Sequence, residues 1–218
     1  MSRLIDTIAE YKEAFKEKVP QEIKEVMFKA TKKLQDEKLS KNALKKSDSV
    51  KGFSLPNAVG ENISLDEILK ENDFAVINFY RGVWCPYCNL ELKALQDKFE
   101  EFKSLGAQLI AISPQTPDAS MTTKEKNELE FEVLSDKGNK IAKEFGLVFS
   151  LADELKPIYI SFGIDIPTNN NEDSYELPMP ATYIIDKNKE IVFAYIDEDY
   201  TKRCEPQDVV DAIKNYGK

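Results

Sequence analysis

Apolar positions in the first part of the chain recur at helical spacing. Leu4, Ile8, Tyr11 and Phe15 form one stripe, and Ile23, Val26, Met27, Ala30 and Leu34 form a second. Pro20 lies between them and suits a first helical turn, so the spacing predicts two helices rather than one. From about residue 52 the period changes. Residues 74–80 (Phe-Ala-Val-Ile-Asn-Phe-Tyr) are almost wholly apolar, the pattern of a strand buried on both faces. Leu92, Leu95, Phe99 and Phe102 then fall on one side of a helical stretch, and residues 108–112 read as a second buried strand. Residues 113–118 break the chain and open a helix to about 129. A short strand is expected over 131–134 and a short helix over 139–145. Alternating strand and helix predicts a largely parallel sheet with helices on both faces. Residues 150–180 are irregular: Asp153 is a candidate cap for a short helix with Pro157 in its first turns, and 168–173 reads as a polar loop. Residues 181–185 and 190–196 flank 186–189 as a hairpin, and 206–216 read as a closing helix.

Composition bounds this picture. The 218 residues are 42% apolar, enough for a core, and 32% charged. No apolar run approaches the ~18 residues of a membrane span. The chain enters a charged helical pattern at once, without a secretory-signal pattern, so a cytoplasmic protein with no membrane partner is expected. The net charge of −9 argues against binding nucleic acid through phosphate contacts. That charge is uneven: residues 1–51 hold 13 cationic and 9 anionic side chains, net +4, and the remainder is net −13. The division expected is a helical arm over 1–50 and a body over 51–218. Two solvated helix faces account for the asymmetry. The sharper alternative has the arm docking on the acidic body, its own or a neighbour's, which leaves a homodimer open.

Histidine is absent, which removes Ser-His-Asp triads, Cys-His pairs and histidine metal sites. The three cysteines are Cys85, Cys88 and Cys204. Trp84-Cys85-Pro86-Tyr87-Cys88 sits where a buried strand hands over to a helix. Pro86 fits the first helical position, where its missing N–H costs nothing. Cys85 then faces the unpaired N–H groups and positive dipole end of that helix, both of which favour thiolate over thiol. Cys88 falls one turn inside. The division of labour this implies is Cys85 as attacking thiolate and Cys88 as resolving thiol. A zinc site needs four N/S ligands, and one chain with only Cys204 to spare cannot supply them. Cys204 reads as a small apolar residue.

Residues 78–92 (Asn-Phe-Tyr-Arg-Gly-Val-Trp-Cys-Pro-Tyr-Cys-Asn-Leu-Glu-Leu) resemble the peroxiredoxin-like (AhpC/TSA) branch of the thioredoxin superfamily. So do residues 50–57 before them and 177–186 (Leu-Pro-Met-Pro-Ala-Thr-Tyr-Ile-Ile-Asp) after them. The resemblance covers about 45–218 and implies an α/β fold: a thioredoxin-like central sheet with flanking helices, preceded by the N-terminal helical arm. Departures stand beside it. Typical members carry Pro-x-x-x-Thr-x-x-Cys, and here Asn78 and Gly82 occupy the Pro and Thr positions. They also place an Arg two residues before the strand Thr, where this chain has Pro180 ahead of Thr182. Thioredoxins and glutaredoxins have a cis-proline there, and Cys-Pro-Tyr-Cys is a glutaredoxin-type dithiol.

The resemblance implies a thiol peroxidase acting on hydrogen peroxide or organic hydroperoxides, with Cys85 and Cys88 catalytic and no metal or organic cofactor. A thioredoxin- or glutaredoxin-type donor is the implied reductant. Arg81, four residues before Cys85, is the candidate to lower the thiolate pKa and bind a peroxide oxygen; a salt bridge to an acidic residue is its alternative. Arg203 lies in residues 199–206, another segment resembling this branch; it is a candidate to hold an acidic partner or to line the pocket, and the structural role is favoured. Trp84, Pro86, Tyr87, Pro180 and Thr182 are supporting or substrate-binding candidates. Two other readings remain: a disulfide oxidoreductase using the same pair, and a non-catalytic redox or soft-metal-delivery module.

Overall fold

A computed structural model describes residues 3–217; Met1, Ser2 and Lys218, at the ends of the two expected regions, lie outside the described residues. The arm is two helices, α1 (Leu4–Lys18) and α2 (Gln21–Glu37), with Pro20 at the cap position between them. Lys38, left-handed, ends α2 and leads through a 3₁₀ turn to the body. There follow β1 (Ser54–Pro56), β2 (Asn62–Ser64), α3 (Leu65–Glu71), β3 (Phe74–Phe79), α4 (Pro86–Gln96) and α5 (Phe99–Ser104). The chain continues with β4 (Ala107–Ser113), α6 (Pro117–Lys126), β5 (Glu132–Ser135), α7 (Lys140–Glu144), β6 (Val148–Ser150), α8 (Leu155–Ser161) and α9 (Ile166–Asn170). It closes with β7 (Glu176–Pro178), β8 (Ala181–Asp186), β9 (Ile191–Ile196) and α10 (Pro206–Lys214).

The central sheet has the order β5-β4-β3-β8-β9. It is less parallel than the strand–helix alternation implies. β3, β4 and β5 run parallel, joined by helical crossovers, while β8 enters antiparallel to β3 and turns back into β9 through a tight hairpin. The difference arises in 150–180, where a long excursion through β6, α8, α9 and β7 replaces one more crossover. Two details there also depart from expectation. The polar stretch at 168–173 contains the end of α9, because Asp165 caps Thr168 N–H at 3.0 Å and Ile166 is buried. Asp153 pairs with Lys156 at 2.7 Å, and Glu154 holds the cap position of α8.

Every residue of β3 is buried, so its side chains must satisfy two cores at once. Ala75, Ile77 and Phe79 join the core beneath α3 and α7, while Phe74, Val76 and Tyr80 face the core of α4, α5 and α10. Asn78 is the polar interruption, and by the two-residue period it points to the α4 side. The arm docks on its own body: α1 packs on α4, with Leu4 and Ile8 buried, and α2 lies against α8. No residue of α2 is fully buried; Val26, Met27 and Ala30 rest on a small core of Leu151, Leu155, Tyr159, Ile166 and Leu177.

Candidate active site

β3 ends at Phe79, and α4 starts at Pro86, so residues 80–85 form the turn that delivers the cysteines. Cys85 holds the cap position of α4 in an extended conformation, its N–H bonded to Gly82 O at 3.0 Å and its carbonyl accepting from Asn89 at 3.1 Å. Pro86 is the first helical residue, as expected. The turn is held from outside: Gln115, just past β4, accepts from Val83 N–H at 2.7 Å, and Asn89 donates to Val83 O at 2.8 Å. Gly82 has a close neighbour. A Cβ there would lie 2.4 Å from Trp84 Nε1, so the indole occupies the space of any larger side chain.

Both cysteines are free thiols, and Cys85 and Cys88 are 1% and 0% exposed. Burial disfavours a Cys85 thiolate, but the hydrogen bond from Cys88 and the charges of Arg81 and Arg203 outweigh it and hold the thiol down at about 5. Cys88 moves the other way. Burial, and its hydrogen bond to Cys85, push it well above the ordinary thiol range. Its sulfur also accepts from Arg81 N–H at 3.4 Å and from both terminal nitrogens of Arg203 at 3.6 and 3.7 Å.

Arg81 has no carboxylate partner among the described residues, which answers the salt-bridge alternative. Its Nη2 donates to Tyr159 Oη at 2.6 Å, and the guanidinium lies over the rings of Tyr200 (4.2 Å) and Trp84 (4.9 Å). Its Nε, and the Nε1 of Trp84, are buried N–H donors without a hydrogen-bond partner among the described residues. Arg203, by contrast, is ion-paired: it meets buried Glu91 at 2.8 Å and donates to Tyr200 O at 2.5 and 2.9 Å. Burial raises the Glu91 pKa in spite of that pair. Tyr87, buried, stacks edge-on against Tyr11 of the arm (5.2 Å) and Tyr200 (5.6 Å). Thr182, in β8, accepts from Asn78 at 3.2 Å and supports the strand end rather than the sulfurs. Pro180 is buried one residue before Ala181, which pairs with Phe79. The peptide bonds of the described residues are all trans, which corrects the cis-proline parallel. β8 makes its ladder with β3 directly from Ala181.

A cleft of about 380 Å³ reaches Cys85. Its walls include Tyr11, Ala14, Phe15, Lys18, Val19 and Met27 from the arm and Arg81, Trp84, Tyr159, Phe162, Ile164 and Tyr200 from the body. The residues missed by sequence reasoning are therefore Arg203 as a cysteine neighbour, Glu91, Tyr159, Tyr200 and the arm's aromatics. Glu91 carried a signal, since it follows Cys88 by three residues on one helix face. Tyr159, on α8, carried none; Tyr200 lies in the family-like segment 199–206, but nothing in its spacing joins it to Arg81.

The profile of the AhpC/TSA family matches residues 47–194, the segment carrying this turn and the sheet. The chain belongs to the AhpC/TSA family. Chloroplastic peroxiredoxin Q of Gentiana triflora is 32% identical over 143 residues, 66% of this chain and 55% of that protein. Peroxiredoxin Bcp of Escherichia coli is 30% identical over 106 residues, 49% of this chain and 67% of that protein. The chain spans little more than half the length of the chloroplastic relatives. Among solved structures, peroxidoxin BcpB from Mycobacterium tuberculosis superposes with a TM-score of 0.63, at 19% identity, covering 80% of this chain and 99% of that one. At that identity the likeness is one of fold. The α1–α2 arm lies outside the segment matched to the AhpC/TSA profile.

Proposed function

We propose that this AhpC/TSA member is a thiol peroxidase for hydrogen peroxide or organic hydroperoxides. The observation that carries the reading is a buried Cys85 thiolate, held down at about 5, lining a small cleft and beside a guanidinium with no carboxylate partner among the described residues. The thiolate attacks the outer oxygen of the peroxide. An S–O bond forms, the O–O bond breaks, and the electron pair leaves with the departing oxygen, which takes a proton from water. Cys85 is left as a sulfenic acid. Cys88 is within hydrogen-bonding reach of Cys85 and condenses with the sulfenic acid to a disulfide, releasing water. A thioredoxin- or glutaredoxin-type dithiol, in a reducing cytoplasm, restores both thiols.

The test is stopped-flow mixing of reduced protein with stoichiometric hydrogen peroxide, read by the fluorescence of Trp84, the single tryptophan. Oxidation orders of magnitude faster than that of free cysteine is expected. It should vanish in Cys85→Ser and stop at the sulfenic acid in Cys88→Ser. A rate no better than free cysteine would remove the peroxidase reading.

A further inference from the structure

We propose that the guanidinium of Arg203 is a catalytic group of the second half of the cycle, holding the Cys88 sulfur as an anion while that sulfur attacks oxidised Cys85. The cycle is that of the peroxidase reading, on which this assignment rests. Three N–H donors converge on the Cys88 sulfur: both terminal nitrogens of Arg203, at 3.6 and 3.7 Å, and the backbone N–H of Arg81, at 3.4 Å. Cys88 is 0% exposed, so these donors belong to the sulfur and not to solvent. A neutral thiol is a weak acceptor with little use for three donors. Three donors, two of them on a cation, suit a thiolate.

The guanidinium is fixed against the sulfur before any reaction. Nη1 also donates to Glu91 at 2.8 Å, and Nη2 and Nε donate to Tyr200 O at 2.5 and 2.9 Å. Glu91 follows Cys88 by three residues, so α4 carries both the sulfur and the anchor of its cation. The titratable and charged groups around Cys88 are Cys85 and Glu91 on α4, Tyr80 and Arg81 at the end of β3, Tyr159 on α8, and Arg203. Burial raises the pKa of both phenols, which stay neutral. With Glu91 paired to Arg203, the second arginine balances one sulfur anion.

Which sulfur carries that charge changes with the step. In the reduced protein it is Cys85; burial, the hydrogen bond to Cys85 and the charge of Cys85 keep Cys88 protonated against the pull of both arginines. Once the Cys85 sulfur is bonded to oxygen it is uncharged, and the two causes that Cys85 supplies are gone. Arg203 and Arg81 remain. The Cys88 electron pair then forms the S–S bond, the S–O pair leaves with the hydroxyl, and the proton from Cys88 completes it to water. No further oxidant or reductant enters. Oxidation of the first sulfur thus switches on the second, and Arg203 receives the charge.

The experiment isolates the second step without peroxide. Methyl methanethiosulfonate converts the Cys85 thiolate to a methyl disulfide, and Cys88 then attacks that sulfur and expels methanethiolate. Acid-quenched mass spectrometry follows both events in the wild-type chain, in Arg203→Lys, and in Arg203→Met combined with Glu91→Gln, which avoids an uncompensated buried carboxylate. At about pH 8, where Cys85 reacts as thiolate, resolution should slow on the order of 10²-fold in the double variant and adduct formation far less. Resolution should also level off at higher pH than in the wild type, and Arg203→Lys, which keeps the charge without the fork, should fall between. Resolution within about threefold of wild type, or an unmoved pH profile, would overturn the proposal. Equal slowing of both steps would overturn it in favour of packing. A wild-type chain that is slow with peroxide but resolves the adduct in the expected Arg203-dependent way would remove the peroxidase reading and uphold the role of Arg203 in the attack by Cys88.

Discussion

Arg81 and Arg203 are the only arginines of the body, and both bury a guanidinium beside the cysteine pair, yet they are partnered in opposite ways. Arg81 is surrounded by the rings of Trp84, Tyr159 and Tyr200 and meets no carboxylate among the described residues. Its charge is stabilised by π faces and a phenol oxygen, which leave it uncompensated toward the thiolate and an arriving oxygen. Arg203 is fixed by Glu91 and by the carbonyl of Tyr200, so much of its charge is already spoken for. Its contact is with Cys88, the deeper sulfur. Both charges lower the Cys85 pKa, but Arg81 is left open toward an arriving oxygen while Arg203 is tied into the architecture, and the difference is set by whether a carboxylate is present.

Substitution separates the two roles. Arg81→Met should lower the rate constant of Cys85 with hydrogen peroxide on the order of 10²–10³-fold while leaving the urea midpoint close to that of the wild type. It should also move the pH profile. Cys85 reacts as thiolate, so the wild-type rate is flat above about 5 and falls tenfold per pH unit below it. Without Arg81 one lowering influence is gone, the folded pKa rises, and the fall begins at higher pH. The linked stability has the matching sign: because the folded pKa lies below the unfolded one, the thiolate's contribution is full above the unfolded thiol range and is lost as pH falls through about 5. A profile unshifted by Arg81→Met would break the contrast between the two arginines.

Arg203→Met should behave in the reverse manner. It leaves Glu91 buried without its cation, which costs about 3 kcal/mol of stability in denaturant unfolding at neutral pH. Adding Glu91→Gln should recover most of that loss, because the uncompensated charge goes with it. Peroxide reactivity should fall less than in the Arg81 variant. If Arg203→Met is neutral in stability but as slow as Arg81→Met, Arg203 belongs to the reacting group after all.

The same contrast shows what the sequence makes legible. Cys85, Pro86 and Cys88 could be placed because strand, turn and helix each have a local pattern, and Arg81 because it sits at the end of that strand. The buried strands could be placed to within a residue or two for the same reason. Arg203 could not be joined to Cys88, since 115 positions separate them and residues 197–205 have no periodicity. The aromatic surroundings of Arg81 were equally hidden: Tyr159 and Tyr200 arrive from an irregular excursion and a loop. The β8–β9 hairpin was legible, but the antiparallel entry of β8 beside β3 depended on that same excursion, whose direction leaves no mark in hydrophobic spacing.

The smallest effect sharpens a second difference, between the two walls of the cleft. The body wall carries the reacting cysteine and Arg81, and the arm wall is mostly apolar surface from Tyr11, Ala14, Phe15, Val19 and Met27, with the cation of Lys18 beside it. Tyr11→Ala removes the ring that stacks on Tyr87 at 5.2 Å and widens the cleft without touching a cysteine or an arginine. A bulky aromatic hydroperoxide loses a packing surface, so its KM should rise about tenfold, in line with the modest discrimination an apolar contact provides. Hydrogen peroxide makes no use of that surface, and its rate constant should stay within about twofold of wild type because Arg81 and the thiolate are intact. Kinetics with cumene hydroperoxide and hydrogen peroxide side by side read this directly. If both substrates slow equally, the arm acts by positioning the cysteine turn through Tyr87; if only the bulky one slows, the arm is the specificity wall that the family profile does not contain.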